Sequence, residues 1–392
     1  MNTYKLNIPK ILRFALLFIV FYSVNLFAQY EFSFSGYAVD LPIYATNNER
    51  LAQFYGMKKN LYLNLTRVRL RPTMYLWDGA RINLEYEITG LYSNQSGNMF
   101  FSTEGVSRRQ LVDLTWSPVT GNNFTLTHFI DRLYFRQSFD IGEIAIGRQR
   151  ISWGTGRVWN PTDLFNPISP TTFYKVEKDG ADVVSTKFYL GNFTDLNIVF
   201  NPQEKIKSSN YGFRFRTNFD EYDVSMIGGY FDKRYAVGMD FAGNLWEAGI
   251  RGEGIYSIDD VNSDNNFMKY ILGIDYQFTP ELYALLEYHF NGEGKTDKVN
   301  YEFMRLINGE ILNLSKNYLA VSAMYQATPL FLITVSNNIN LNDKSGFVGL
   351  IGNYSVTSDF YMNIGAQIFY GSNLTEYWYF PDSYYLQAEY YF

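Results

Sequence analysis

Alternation of apolar and polar side chains, with a period of two residues, is the dominant pattern along the chain. In the stretch 80–92, every second position from 82 to 88 is apolar and the positions between carry charged or amide side chains. The same rhythm recurs in 268–278 and in the last ten residues. Successive side chains of a β-strand point to opposite faces, whereas helical periodicity is almost absent here. The pattern therefore predicts an all-β fold.

The lengths of the strand-like segments and of their connections predict the kind of sheet. The segments run to about 8–13 residues, close to the ~9–11 that a tilted strand needs to cross a bilayer. Connections alternate between short ones, such as GNF, FDE, GN and TS, and long ones, with DKR and NDKSG as short exceptions in the long set. The long connections are 41–58, 93–124, 151–181, 202–209, 257–267, 291–315 and 371–382. This alternation predicts a transmembrane antiparallel up-and-down β-barrel of eighteen strands, with sixteen as the alternative, and both termini at the short-turn, periplasmic end.

The first 28 residues differ from the rest of the chain. Lys5, Lys10 and Arg13 precede the apolar run FALLFIVFYSVNLFA, which ends on a small residue. This order is typical of a secretory signal peptide, and we predict cleavage after Ala28. The alternative is an N-terminal helix buried in the fold. The predicted organisation is a signal peptide over 1–28 and a barrel over 29–392.

Composition supports two aromatic belts and excludes several classes of protein. The chain has 34 Tyr and 33 Phe, and its aromatic fraction of 19% exceeds its charged fraction of 18%. Tyr and Trp collect at the two interfaces of a membrane. Cysteine is absent, which removes disulfide scaffolds and thiolate metal sites, and a net charge of −6 gives no support for nucleic-acid binding. His128 and His289 have no recognisable nucleophile beside them, so we expect no enzyme, no metal and no cofactor.

Alternation also assigns charged side chains to the lumen. The predicted pore-lining residues are Arg67, Arg69, Arg71, Arg81, Arg132, Arg136, Arg214, Arg216, Glu247, Arg251, Glu253, Asp275 and Glu287. A β-bulge between Leu65 and Val68 is needed to bring Arg67, Arg69 and Arg71 inside, and Asp131 is expected to point outward near a rim. Arginines thus dominate the first half of the wall and carboxylates the second. Either these rows set up a field across the pore, or they pair with one another.

The stretch GRQRISWGTGRVWNPTDLFNP, 147–167, is too rich in Gly, Pro and Asn to continue as a strand. Parity places 151–181 among the long, extracellular loops. We predict that this loop folds inward as a constriction, with Trp153 and Trp159 as anchors; the alternative is a surface cap outside the pore. The predicted constriction residues are Arg148, Arg150, Trp153, Arg157, Trp159 and Asp163, and Arg148 requires a kink at Gly147 to face inward.

Two segments resemble known families. The last strand alternates aromatic residues and ends on Phe392, and so resembles the closing strand of outer-membrane barrels, which the insertion machinery reads as a signal. The hairpin RLYFRQSFDIGEIAIGRQRISWGTG is similar to that of alginate-export and related porin-like barrels. The matching positions are Arg132, Tyr134, Gly147, Arg148, Gln149, Trp153 and Gly154, followed by Asn160 to Asp163 and Asn166-Pro167. The acidic residues of the later strands depart from the strongly basic lumen of alginate exporters.

These observations predict a passive porin-type channel for small hydrophilic solutes, anionic or sugar-like, in the outer membrane of a Gram-negative bacterium. The partners expected are outer-membrane lipid, the barrel insertion machinery, periplasmic chaperones and the solute, with no nucleic acid. The oligomeric state is open. The alternative is a surface-exposed barrel that anchors polysaccharide-binding loops, or takes part in polysaccharide export, without general porin activity.

Overall fold

The computed structural model describes residues 30–95, 107–166, 169–172 and 177–392; the predicted signal peptide and Pro167 lie outside these ranges. The strands are β1 Glu31–Ser33, β2 Gly36–Thr46, β3 Asn60–Leu70, β4 Thr73–Trp77, β5 Ala80–Ser93, β6 Thr115–Thr120, β7 Phe124–Phe139, β8 Gly142–Gln149, β9 Ala181–Tyr189, β10 Asp195–Asn201, β11 Asn210–Phe219, β12 Tyr222–Phe231, β13 Arg234–Leu245, β14 Ala248–Asp259, β15 Phe267–Gln277, β16 Leu282–Asn291, β17 Asn317–Thr328, β18 Phe331–Asn340, β19 Gly346–Ser355, β20 Phe360–Tyr370 and β21 Asp382–Tyr391. The helices are α1 Glu49–Tyr55 and α2 Phe303–Ile307, with 3₁₀ turns at Ile206–Ser208, Ser263–Asn265, Lys298–Asn300 and Glu376–Tyr379.

The sheet closes on itself as an antiparallel barrel. Strand β2 pairs with β3 on one side and with β21 on the other, and every intervening neighbour is antiparallel. Strand β4 continues the line of β3 along β5, and β1 continues β2 along β4. Strand β6 extends the hairpin beside β7. Without these three extensions the barrel has eighteen strands, as the sequence predicts.

Short and long connections lie at opposite ends of the barrel. Backbone hydrogen bonds from Gly36 N to Phe392 O, at 2.8 Å, and from Phe392 N to Gly36 O, at 3.0 Å, join the first and last barrel strands at the short-turn end. The turn after β11 places Asp220 at φ 49° and Glu221 at φ 69°. Two successive left-handed residues are typical of the tight hairpin turn whose twist matches that of the flanking strands. Chain parity therefore follows the predicted pattern.

Large apolar side chains cover most of the outer surface. Exposed aliphatic residues on the outward positions include Ile146, Val184, Val237, Leu272, Leu286, Val335, Leu350 and Ile364. Tyrosine, tryptophan and phenylalanine side chains lie towards both ends of the strands, as at Tyr44, Tyr62, Trp77 and Phe392. Among the described residues, no helix is long and apolar enough to cross a membrane.

The predicted bulge in β3 is wrong. Strands β2 and β3 pair without a register shift from Gly36 opposite Leu70 to Thr46 opposite Asn60. Arg67 and Arg69 do point inward, and both are buried. They share that face with Leu61, Leu63 and Leu65, which make the lumen side of this wall apolar in its long-loop half. The inward face of β3 thus changes from leucine to arginine along its length, while the strand itself continues without a bulge.

Two further assignments are corrected. Asp131 lies inside, only 2% exposed, because the register of β5 with β7 shifts where Glu85 pairs with Arg132 and Tyr86 with Ile130. The extra residue of this bulge is Asp131, so that it and Arg132 both face inward. Glu247 lies outside the strands, in the tight turn between β13 and β14, where it accepts a hydrogen bond from the Tyr276 hydroxyl at 2.8 Å.

Candidate constriction inside the barrel

The segment 150–166 follows β8 and crosses the lumen to the opposite wall, where buried carboxylates hold its backbone. Glu253, on β14, accepts hydrogen bonds from the amides of Thr155 at 2.5 Å, Gly156 at 3.2 Å and Thr162 at 3.2 Å. A buried backbone N–H without a partner is costly, and a carboxylate is a strong acceptor. One side chain therefore satisfies three amides of a loop that forms no regular structure.

Glu287, on β16, binds the next part of the same loop. Its carboxylate oxygens accept from the amides of Arg157 at 2.8 Å, Val158 at 3.1 Å and Trp159 at 2.8 Å. Successive amides that converge on one anion form a small concave site of the kind that backbone nests provide. We refer to Glu253 and Glu287 together as the anchor carboxylates.

Aromatic packing fixes the ends of the loop. Trp153 and Phe165 are buried with their ring centroids 5.1 Å apart, and Phe165 lies 5.0 Å from the Phe231 ring. The indole N–H of Trp153 donates to Asn197 Oδ1 at 3.2 Å. Burial of such rings is the main apolar contribution that one residue can make to packing. The loop is thus docked on β10 and β12 by its side chains.

Trp159 packs on the next part of the wall. Its ring is stacked on His289 at 5.3 Å and tilted against Tyr318 at 5.9 Å. The two tryptophans that the sequence singles out are therefore both buried contacts of the loop, one on each side of the anchor carboxylates. His289 is occupied by this stacking and by a 3.1 Å contact of Nδ1 with Tyr270 O.

Gly156 permits the tight fold between the two anchor sites. A Cβ atom at this position would clash with the carbonyl oxygen of Trp159. Only glycine allows the backbone to double back so closely. This close approach explains the glycine at position 156, which periodicity alone does not show.

Arg148 ties the base of the loop to the wall. Gly147 has φ +126°, a conformation that favours glycine, and this residue supplies the kink that the sequence requires. Arg148 is 2% exposed and donates from Nε to Asp182 at 2.7 Å and from Nη1 to Ile130 O at 3.0 Å. Arg148 therefore positions backbone and does not face the passage.

A second segment, 107–114, reaches the same region and was not identified from the sequence. Arg109 forms an ion pair with Asp232 at 2.7 Å and donates to Leu164 O at 3.1 Å. Gln110 donates to Gly180 O at 3.0 Å. This segment therefore covers the constriction loop from the long-loop side. No period or motif marks it, because its role depends on contacts with residues far along the chain.

Arginines of the first half of the wall are paired with carboxylates of the same wall and with Glu177 of the connection before β9. Arg69, on β3, contacts Glu85 at 2.9 Å, Glu87 at 3.1 Å and, still closer, Asp131. Further pairs of this cluster are Arg67–Glu87 at 2.8 Å, Arg132–Glu85 at 2.9 Å, Arg132–Glu177 at 2.8 Å and Arg71–Glu177. We call this set the arginine cluster.

The remaining predicted lumen cations also find carboxylates, with one exception. The pairs are Arg136–Glu143 at 3.2 Å, Arg214–Asp240 at 3.1 Å, Arg216–Asp195 at 2.9 Å and Arg251–Asp275. Arg251 also donates to Thr155 O at 3.2 Å and so touches the constriction loop. Within the described ranges Arg81 makes no ion pair. Of the two interpretations of the charge rows, these contacts favour pairing.

The loop itself carries two exposed cations. Arg150 and Arg157 are exposed, and neither forms an ion pair with any residue that the structure describes. Asp163 is instead buried and paired with Lys178 at 2.5 Å. The charge that the loop presents to water is therefore positive.

Above the loop, on the long-loop side, lies a cavity of about 610 Å³. It is lined by Trp159, Asn160 and Pro161 of the loop and by Arg109, Phe231 and residues 308–313. The loop therefore forms part of the cavity wall. No group of three or more His, Cys, Asp or Glu side chains in the described part of the chain is arranged to hold a metal ion.

Comparison with known proteins gives the fold. No protein-family model matches the chain, and no curated protein does. Among solved structures it is similar to OccD3 (OpdP) of Pseudomonas aeruginosa, with a TM-score of 0.54 and 10% identity over 92% of this chain and 91% of that one. A triple mutant of the Rhodopseudomonas blastica porin covers 92% and 100% of the two chains, with a TM-score of 0.47 and 10% identity. The first similarity is one of fold, a closed porin-like barrel.

Proposed function

We propose that this protein is an outer-membrane channel for the passive passage of small hydrophilic solutes. The closed eighteen-stranded sheet leaves no unpaired edge, which is what a hydrocarbon environment demands of a strand protein. Its outer surface is mostly apolar between aromatic ends, and most charged side chains of the strands, Asp40 excepted, point inward. A barrel of ~16–18 strands encloses an aqueous channel unless something fills it.

The observation that carries the proposal is the attachment of loop 150–166 to the anchor carboxylates inside the lumen. A wide barrel discriminates poorly between solutes, and a loop across its interior supplies the narrow point. Because Glu253 and Glu287 hold six backbone amides between them, the loop has a defined position and not an average one. It acts as the constriction of the channel.

The unpaired charge favours anions. Most lumen carboxylates named above are engaged by arginines or by loop amides, and Glu389 by neighbouring wall side chains, whereas Arg150 and Arg157 remain exposed. A constriction edged by arginine raises the local concentration of anions. The preferred solutes are therefore small and anionic or neutral and polar.

Phe392 fits the role of an insertion signal. Its ring stacks on Phe34 at 5.9 Å and is 45% exposed on the outer surface at the short-turn end. The insertion machinery and periplasmic chaperones are the partners that this location requires. The chain then resides in a Gram-negative outer membrane.

Single-channel recording in planar bilayers tests the proposal. We expect stable conductance steps that scale with salt concentration, and a larger step when 154–165 is deleted. Removal of 204–208 from the exposed loop after β10 is the matched control and should leave the step unchanged. Absence of any conductance would refute the channel and favour a barrel that only anchors surface loops. Conductance that the first deletion does not raise would refute the constriction.

A further inference from the structure

One stretch of the outer wall has polar side chains where the rest is aliphatic. On strands from β8 to β20, outward positions at mid-height are occupied by residues such as Ile146, Leu272 and Leu350. On β2 and β3 the corresponding positions are Asp40, Pro42, Asn64 and Thr66, and all except the half-buried Asn64 are exposed. Asp40, Asn64 and Thr66 have polar side chains, and we call these three residues, together with Pro42, the outer polar patch.

The patch lies between the two aromatic ends of the wall. Asp40 is opposite Ala388 on β21, a position midway between Tyr384 and Phe392. Tyr44 contacts Tyr62 at 5.3 Å and Tyr384 at 6.3 Å on the long-loop side of the patch. Phe392 contacts Tyr390 at 6.2 Å on the other side. In the proposed membrane, the Asp40 carboxyl group therefore lies at the depth of the acyl chains.

The exchange of apolar and polar faces involves both sides of this wall and several residues. The lumen faces of the same two strands carry Val39, Leu41, Ile43, Leu61, Leu63 and Leu65, all buried. Apolar side chains thus point inward and polar ones outward over the long-loop half of both strands. The surroundings of the outer face in this half of β2 and β3 must therefore accommodate hydrogen-bonding groups.

Internal hydrogen bonds do not remove the cost of the carboxyl group in lipid. Asp40 Oδ1 accepts from Thr66 Oγ1 at 2.8 Å and from Asn64 Nδ2 at 3.1 Å. These bonds use one oxygen atom and leave a polar, exposed surface. Polar and ionisable groups at this depth are unfavourable unless they face protein or water.

We propose that the outer polar patch is a contact face between copies of this chain, an inference that rests on the proposed membrane location. A partner at this depth must itself be embedded and must match the barrel in height, and a second copy does both. The patch offers acceptors and donors together, so copies can bond through the same surface, as closed symmetric assemblies require. Its small neighbours Ala38, Gly90 and Ala388 allow two walls to approach closely.

The position of the patch at the closing seam supports the same conclusion. Pairing of β2 with β21 is interrupted at Leu41 and Pro42, because proline has no N–H to donate. The ladder that closes the barrel therefore lacks two of its residue pairs at this height. A second copy over this site covers the interruption and keeps lipid away from it.

The mass of the purified, detergent-solubilised barrel tests the proposal. We expect the wild type to have two or more chains per particle, and Thr66→Trp, which blocks close approach, to give single chains. Val335→Trp, at an exposed aliphatic position on β18, is the matched control and should keep the wild-type mass. A monomeric wild type, or an oligomer that Thr66→Trp leaves unchanged, would overturn the inference.

Accessibility in membranes gives a second readout. The chain has no cysteine, so Thr66→Cys and Val335→Cys each introduce one thiol. A lipid-soluble maleimide should label Cys at 335 at least about tenfold faster than at 66, a contrast that burial of the patch requires. Equal rates would contradict burial. If monomers conduct, the proposed channel stands and this inference fails. If oligomers form but do not conduct, this inference stands and the proposed channel fails.

Discussion

Two walls of this barrel bury carboxylates in different ways. On β3, β5 and β7, acidic side chains meet arginines of neighbouring strands, as Arg69 meets Glu87 and Asp131. On β14 and β16, Glu253 and Glu287 meet backbone amides of a loop that starts at β8. The first arrangement lies mainly within the sheet, with Glu177 of the connection before β9 as one further partner, and the second is complete only when loop 150–166 is in place.

The difference separates the stability of the sheet from the position of the loop. A buried ion cluster holds strands together, and loss of one member leaves the others uncompensated. A carboxylate that is satisfied by loop amides couples the wall to the loop, so its loss releases the loop and leaves the strands paired. Changes in the arginine cluster should therefore affect unfolding, and changes in the anchor carboxylates should affect the passage.

Arg69→Met should have the largest effect. It removes the cation that Glu85, Glu87 and Asp131 share, and a broken buried ion pair costs about 3–5 kcal/mol. Thermal unfolding in detergent, followed by circular dichroism or by loss of the compact band on gels, should show a clear drop in midpoint. Arg136→Met, which breaks only the more accessible pair with Glu143, is the control and should change the midpoint little. Equal effects of the two variants would contradict a special role for the cluster.

The double variant Glu253→Ala with Glu287→Ala should have the second-largest effect, on single-channel conductance. Six loop amides lose their acceptor, so the loop leaves its position and single-channel conductance should rise severalfold while the unfolding midpoint changes less than in Arg69→Met. Glu389→Ala, another inward carboxylate, bonds only within its own part of the wall and is the control. An unchanged conductance with a large loss of stability would mean that the two walls do not differ as described.

Arg150→Gln combined with Arg157→Gln should have a smaller effect, on selectivity. Both side chains are exposed and unpaired within the described structure, so the fold should not depend on them. Reversal potentials under a salt gradient should shift towards cations, by about a twofold change in permeability ratio, since exposed charges act through water and are screened. Lys207→Gln, on the exposed loop after β10, should leave the ratio unchanged. If both variants behave alike, the two arginines do not edge the passage.

Glu376 provides the most local effect, confined to one contact, and extends the comparison to a pair of loops. It accepts from Leu314 N at 3.0 Å, Tyr318 Oη at 2.6 Å and Asn340 Nδ2 at 2.8 Å, and so joins the loop after β20 to the one after β16. Burial raises the pKa of Glu376 from 4.5 to about 7, although these hydrogen bonds lower it. The joined form thus holds a proton that the separated form releases, and the contact weakens as pH rises from 4.5 to 7.

Hydrogen exchange at the Leu314 amide measures this contact. After correction for the intrinsic rate, protection should fall by up to roughly 70-fold between pH 5 and pH 8 and then level off, as linkage requires when opening lowers the pKa from about 7 to 4.5. Glu376→Gln should remove the pH dependence, and Glu389→Gln should keep it. Constant protection in the wild type would show that Glu376 does not control the two loops.

Most of the barrel could be predicted, because strand period and loop length are local properties. Eighteen strands and the common end for Gly36 and Phe392 follow from alternation and parity. The inward side of Arg67 and Arg69 was also expected, but through a bulge that the strand does not contain. Errors arose where register between strands matters. The bulge lies at Asp131 and not at Leu65, since only the pairing of β5 with β7 fixes it.

The candidate site was predicted in part. The composition of 147–167 marks it as unusual, and its Gly and Trp residues are the ones that the contacts use. The sequence could not reveal the roles of Arg109 and Asp182, or that Glu253 anchors the loop and does not line the pore. Each role depends on a partner about 30 to more than 100 positions away, brought close only by closure of the sheet.

The order of residues alone decided which segments become strands, how many there are and which end of the barrel each connection occupies, because a period of two and a connection length are read along the chain. The tertiary structure decided which charges meet, where Asp131 points and which face of β2 and β3 is polar. The position of Asp131 depends on the register of β5 with β7, and the contacts of the loop depend on what lies across an enclosed space, which exists only once the last strand pairs with the first.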